Sequence, residues 1–220
     1  MIRNIGIILS QYGMVFVEGL WNTIWLSSVS LLIGTMAGVF VALAKMSRHT
    51  HLSGANSVYV ELIRGTPMLL QLYFFWLLLP KILPEMPDVL CILCALVVNS
   101  SAYVAEIIRA GIQAVDHGQR EAALSLGMEE KYIMAKIIFP QAIKNILPAL
   151  GSEMIVMIKE TSLASTFFIG ELMTAYKKVQ SVTFLAIEPL CISGCIYLFL
   201  TISLSRLTRR LERRLRANER

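Results

Sequence analysis

Two acidic residues stand where acids are costly. Glu153 and Glu160, with Lys159, interrupt an otherwise apolar stretch from Ile146 to Ile169. They are seven residues apart, so on a helix they share nearly one face, about 10 Å apart along the axis. Met157 falls between them, four residues after Glu153. An ionisable group at membrane depth costs about 3 kcal/mol or more, so it faces a cavity or a partner. Two acids on one stripe suit an ammonium group, either an amino acid's own or that of a cationic side chain. The alternative is structural pairing with Lys159, Arg64 or Arg109. Gln71 and Asn99 place neutral donors and acceptors in two other apolar stretches, and Gly65-Thr66-Pro67 breaks one of them. Such a break frees backbone carbonyls, and irregular backbone is tolerated at that depth only inside protein or beside water. Broken helices of this kind form substrate sites in transporters; the alternative is a kink that aids packing. Glu106 with Arg109, and Glu61 with Arg64, are three apart and read as structural or gating ion pairs.

Other chemistries find little support. His49, His51 and His117 lie in polar segments, away from any nucleophile or metal set. Cys91, Cys94, Cys191 and Cys195 loosely have metal-site spacing, but they sit in apolar runs and read as free thiols packed like small hydrophobes. No catalytic residue and no metal ligand is assigned. No Gly-x-x-x-x-Gly-Lys-Ser/Thr loop is present.

The elements that must position these residues are membrane helices. Only 16% of the 220 residues are charged and the mean hydropathy is +0.65, whereas soluble domains carry about a quarter charged residues. A bilayer core takes about 20 apolar residues as a helix. An all-α integral membrane domain with five spans is expected, near residues 17–44, 58–79, 88–111, 141–158 and 184–205. Residues 1–17 read as an interfacial helix or as the start of the first span. That span is too long for a cleaved signal. Segment 112–140 is a charged loop rich in helix formers, and 161–182 should return as short pieces on the opposite side. Most Lys and Arg fall on one side: Lys45, Arg48, Arg64, Arg109, Arg120, Lys131, Lys136, Lys144 and the tail Arg206, Arg209, Arg210, Arg213, Arg214, Arg216 and Arg220. The positive-inside rule then puts the N-terminus out and the C-terminus in. The basic tail reads as an anchor on anionic headgroups, so the net charge of +5 requires no nucleic acid.

Within segment 112–140 stands Glu121-Ala122-Ala123-x-x-x-Gly127, then nine residues, then Ile137-x-Phe139-Pro140. Small side chains let a short helix seat closely in a partner's groove. Gly127 turns the chain without steric cost, and Pro140 suits the first turn of the next helix. Here the chain resembles the permease subunits of binding-protein-dependent ABC importers, whose signature it matches except for Phe139 in place of Leu. The resemblance implies that Glu121, Ala122, Ala123 and Gly127 form the coupling element that docks into a cytoplasmic ABC ATPase.

Three further stretches are similar to permeases for histidine, glutamine, arginine and related amino acids: Glu61 to Gln71, Asn99 to Gly111, and Lys159-Glu160-Thr161-Ser162-Leu163. The resemblance covers nearly the whole chain. It implies a type I importer permease fold in a bacterial plasma membrane. The implied substrate site comprises main-chain carbonyls near Thr66 with Gln71, Asn99, Glu153, Met157 and Glu160. Partners would be an ATPase dimer that binds ATP and Mg, a second permease chain (identical or related), an extracytoplasmic amino-acid-binding protein, the amino acid and the lipid bilayer. The chain itself would hold no cofactor and be no enzyme. Polar L-amino acids, basic ones included, would cross by alternating access. The rivals are a permease for another small solute and, further off, an ion-coupled transporter using the same two acids.

Overall fold

The computed structural model describes residues 1–47 and 49–217, with the side chains of Ile2, Arg216 and Ala217 set aside. Arg48, Arg220 and the side chain of Arg216, which enter the expected orientation, lie outside what is described. Among the described residues the chain is helical, with no strand. Its α-helices are α1 (Ile2–Lys45), α2 (Thr50–Gly65), α3 (Met68–Ile82), α4 (Asp88–Gln113), α5 (His117–Ser125), α6 (Glu130–Ile133), α7 (Phe139–Glu160), α8 (Leu172–Thr183) and α9 (Ile187–Ala217). A π-helical turn, Met134–Ile138, joins α6 to α7, and a 3-10 segment, Thr161–Phe167, follows α7.

Four helical stretches are long and apolar enough to cross a membrane: Arg3–Lys45, Asp88–Gln113, Glu130–Phe167 and Ile187–Leu215. The fifth candidate corresponds to the span expected over 58–79, with its break at Gly65-Thr66-Pro67. It is α2 followed by α3, bent by 108° at the intervening break. Thr66 and Pro67 are extended there, because a residue before proline is pushed out of the helical region and proline has no N–H to continue the ladder.

Of the two readings for residues 1–17, the start of the first span holds: α1 runs unbroken from Ile2, with no proline to stop it. Other boundaries shift. Pro140 lies in the first turn of α7, where its missing N–H removes one bond without ending the helix. The π-turn just before it absorbs the irregularity. As a result, the last part of the loop expected over 112–140 is continuous with the fourth span. At the C-terminus α9 runs well past residue 205, since Arg, Leu and Glu are good helix formers.

The helices pack by close backbone approach. Without a water-driven force between helices in lipid, small residues at the contact do most of the work. Gly34 and Gly38 of α1 lie four apart against α4. A Cβ on Gly34 would sit 2.6 Å from Ser100 Cβ and Oγ, and one on Gly38 would sit 2.8 Å from Val104 Cβ. Gly19 of α1 meets α8 in the same way, with Leu172 Cα 3.0 Å from such a Cβ, and a Cβ on Gly151 of α7 would sit 2.6 Å from Thr208 Oγ1 of α9. Gly111 of α4 faces Ile146 of α7, and Asn145 Nδ2 donates to Gly111 O at 3.5 Å. Further along, Met157 of α7 packs with Ala95 and Leu96 of α4, Leu72 and Met68 of α3 and Leu26 of α1. These two contact points make α4 and α7 antiparallel neighbours.

Candidate functional site

The break between α2 and α3 is held by one amide. Gln71 Nε2 donates to Ile63 O at 2.7 Å, to Thr66 Oγ1 at 2.9 Å and to Thr66 O at 3.1 Å. Thr66 Oγ1 in turn donates to Leu62 O at 2.9 Å. The carbonyls freed by the break are thus gathered onto Gln71. On its other side, Gln71 Oε1 accepts from Asn99 Nδ2 at 3.0 Å, which carries the network from α3 to α4. Asn99 is buried, and its Oδ1 has no hydrogen-bond partner among the described residues. An unpaired buried acceptor costs about 1–3 kcal/mol. Asn99 therefore holds its carbonyl oxygen aimed into the interior at a cost.

The antiparallel register puts the acids beside this network. Asn99 is one turn from Leu96 toward the C-terminal end of α4, and Glu153 is one turn from Met157 toward the N-terminal end of α7. Both steps run in the same direction, so Asn99 and Glu153 come to one level. Glu153 is buried and within electrostatic reach of Glu160 and Arg64. Glu160 Oε2 is fully enclosed without a partner, and neither acid forms an ion pair or accepts a hydrogen bond among the described residues. Lys159 influences Glu160 electrostatically without coming into ion-pair contact. Met157 is wholly buried in the apolar cluster between the two acids. The structure thus joins Thr66, Gln71 and Asn99 by hydrogen bonds, and places Glu153 level with them. Met157 and Glu160 follow at successive turns of α7. A cavity of about 540 Å³ lies in the elbow of α2 and α3, lined by Thr66, Gln71, Tyr59, Leu62, Phe74 and Val98 among others.

The expected ion pairs resolve unequally. Glu106 binds Arg109, which also reaches Gln113, and Glu106 accepts from Lys45 Nζ at 3.0 Å. It thereby ties the end of α1 to α4. Glu61 and Arg64 do not pair among the described residues; the Arg64 guanidinium lies over the Tyr103 ring, 5.3 Å from its centre. That position is favourable because the ring face is electronegative.

The Glu121 segment is α5. Asp116 caps it, accepting from Gly118 N at 2.6 Å. It ends in a left-handed turn at Gly127, φ +75°, closed by Met128 N donating to Ala123 O at 3.1 Å. Arg120 Nε donates to Glu130 Oε1 at 2.8 Å and ties α5 to α6; this carboxylate raises the pKa of Arg120. The motif divides between two faces. Ala123 turns inward, packed with Val115, Ile133, Ile138, Ala142 and Ile146. Glu121 and Ala122 remain exposed, beside Leu124 and an 83% exposed Leu126. The motif alone does not reveal Leu124 and Leu126, apolar side chains left exposed in a charged segment.

Two other features escaped the sequence reading. One is the Gly34–Gly38 pair, whose spacing carried the signal. The other is Glu171, fully buried at the start of α8, which accepts from Met173 N (2.6 Å), Thr174 N (2.7 Å), Thr174 Oγ1 (2.9 Å) and Tyr197 Oη (3.0 Å). Three of its four donors are local, on Met173 and Thr174, and only Tyr197 comes from a distant helix, so the signal that could have found it is an acid at a helix start.

Comparison with known proteins agrees with this architecture. Residues 34–217 match the family model described as binding-protein-dependent transport system inner membrane component. The arginine transport system permease protein ArtQ of Bacillus subtilis is 37% identical over 203 residues, covering 92% of this chain and 93% of that protein. The nopaline transport system permease protein NocM of Agrobacterium fabrum is 39% identical over 196 residues, covering 84% and 81%. A crystal structure of an amino acid ABC transporter with histidines superposes with TM-score 0.91 at 45% identity, covering 94% of this chain and 97% of that one. An inward-facing MetNI methionine ABC transporter shares the fold, with TM-score 0.77 at 16% identity over 92% and 96%. With its broken second span, its antiparallel α4–α7 pair and its exposed α5, this chain belongs to the family of binding-protein-dependent transport system inner membrane components.

Proposed function

We propose that this chain is the membrane-spanning subunit of an ATP-driven, binding-protein-dependent importer of polar L-amino acids, working in a bacterial plasma membrane. The end of the bundle that carries Lys45, Arg109 and α5 is cytoplasmic, as the Lys and Arg distribution supports. Two such chains, identical or related, flank the path. An extracytoplasmic binding protein delivers the amino acid, and the ATP and Mg are held by a separate ATPase dimer.

One observation carries this reading. A single helical rod, Glu130–Phe167, bears the α5 docking segment beside one end and, toward the other, two acids without internal donors, Glu153 buried and Glu160 half-buried with its Oε2 enclosed. Movement of α5, anchored by Ala123 and by the Arg120–Glu130 pair, is passed along that rod to Glu153 and Glu160. The amino acid's ammonium or cationic side chain is bound by these acids. The Thr66 carbonyl, Gln71 and Asn99 supply the remaining polar contacts, and Met157 supplies an apolar floor. ATP-driven closure of the ATPases opens the path outward, and hydrolysis returns it inward.

The test is uptake of labelled arginine by cells with and without the chain, against unlabelled lysine, histidine, glutamine, glutamate and cystine. Glu153→Gln and Glu160→Gln are run in parallel. A charge-assisted hydrogen bond is worth about 1.5–3 kcal/mol, so each substitution lowers uptake by about ten-fold or more. Chain-dependent uptake of a neutral amino acid that survives both substitutions overturns the site. If no amino acid is carried, the substrate class itself is wrong.

A further inference from the structure

The last turns of α9 do more than stop a membrane span. At 1.5 Å per residue the 31 residues of Ile187–Ala217 make a rod of about 46 Å, against a hydrocarbon core of about 30 Å. Arg206 lies about 28 Å along it and Arg213 about 39 Å. With Ile187 at one edge of the core, these arginines span the headgroup layer at the other edge.

Their phase is specific. Arg206, Arg209, Arg210 and Arg213 recur at i, i+3, i+4 and i+7, and they line a hollow of about 210 Å³ walled by those four residues alone. Thr208 packs on Gly151 of α7 and so marks the side of α9 that faces the bundle. At 100° per residue, Arg206, Arg210 and Arg213 lie about 140–160° from Thr208, on the outward face. All four are exposed, and no acid of the chain pairs with them among the described residues. Next to them Leu207 and Leu211 are 61% and 39% exposed, so an apolar strip continues beside the basic one. A helix with a basic strip and an apolar strip at this depth is built for the interface, leucines toward acyl chains and guanidiniums toward phosphates. Arginine's planar fork pairs bidentately with phosphate oxygens.

We propose that Arg206, Arg209, Arg210 and Arg213 form a site for the phosphate of one anionic phospholipid, clasped against the outward face of α9. Because α9 packs on α7 next to Glu153, a bound lipid also steadies the helix that carries the two acids.

The full-length chain, in complex with its partner subunits, would be purified in detergent and mixed with equal amounts of phosphatidylglycerol and phosphatidylcholine. Retained lipid would then be read by native mass spectrometry. One basic contact near an anionic surface is worth about five-fold. Wild type should retain phosphatidylglycerol over phosphatidylcholine by tens-fold. The triple variant Arg206→Gln, Arg210→Gln, Arg213→Gln should lose that preference, whereas the triple Arg→Lys variant keeps part of it. Inorganic phosphate at millimolar concentration should not displace the lipid. Equal retention of the two lipids overturns the site, as does an unchanged preference in the Gln variant. Full displacement by inorganic phosphate shows a site for free anions instead.

Discussion

Glu160 and Glu171 lie eleven residues apart, and both have carboxylate oxygens taken out of water. Their surroundings differ in kind. Glu171 caps α8 with four donors converging on its two oxygens, and through Tyr197 it joins α8 to α9. Thr23 Oγ1, accepting from Leu172 N at 3.1 Å, fastens the same turn to α1. Glu160 Oε2 receives nothing, and Glu153 receives nothing either. A buried acid supplied with donors by its own fold is a fastener. One left without them carries an unmet cost, which the proposed cationic ligand would relieve. The difference teaches that burial alone does not separate a fastening acid from a candidate site acid; the count of internal donors does.

Several changes break or sharpen this contrast. The largest effect outside the acids themselves is expected at the proposed docking face. Leu126→Asp alters an 83% exposed side chain, so the unfolding midpoint of the purified chain stays unchanged. A leucine buried at an interface contributes about 1.5–3 kcal/mol, so uptake falls about ten-fold or more. Loss of uptake with retained binding of the delivery protein localises the fault to the ATPase side. Next comes Gly34→Leu, which drives a side chain into Ser100 at the α1–α4 contact. Overpacking of this kind costs about 1–3 kcal/mol, visible as a lower unfolding midpoint. An unshifted midpoint contradicts the close packing described for α1.

Glu171→Gln has a comparable but more local cost. Its amide turns donors toward donors, for a loss of about 1–3 kcal/mol, while uptake per folded molecule holds. A smaller, pH-dependent effect accompanies it. Burial pushes the Glu171 carboxyl above its usual value, and its four donors pull it only part of the way back. Across the window from the ordinary carboxylate value up to the raised one, the folded state binds more proton than the unfolded state. Wild-type stability therefore falls as pH rises through that window. The stability difference, wild type minus Glu171→Gln, should shrink over the same range. A difference that grows with pH contradicts this assignment.

Much of this contrast was legible in the residues and some of it was not. The acids at 153 and 160 stood out because charge is rare in apolar runs, and Gly65-Thr66-Pro67 announced a break because proline cannot continue a helix. Glu121 to Pro140 located α5 through its resemblance to the family signature. What no local pattern gave was the long-range part of the donor supply. It depends on Tyr197 of α9 meeting Glu171, and on Lys45 of one helix reaching Glu106 of another. The inward turn of Ala123 and the stacking of Arg64 on Tyr103 instead of pairing with Glu61 are likewise set by tertiary packing. The ends of α1, α7 and α9 moved because helix formers carried the ladder past the hydrophobic boundary on which the span edges rested.

The most direct measurement sets the two acids side by side. Glu160→Gln and Glu171→Gln would each be assayed for labelled arginine uptake per folded molecule and for unfolding midpoint in detergent. The expected result is a crossed pattern: Glu160→Gln loses uptake by about ten-fold or more with its midpoint unchanged or raised, and Glu171→Gln loses stability with uptake retained. The reverse pattern, with Glu160→Gln unstable but still transporting, would contradict the assignment of the unpaired acids to the substrate.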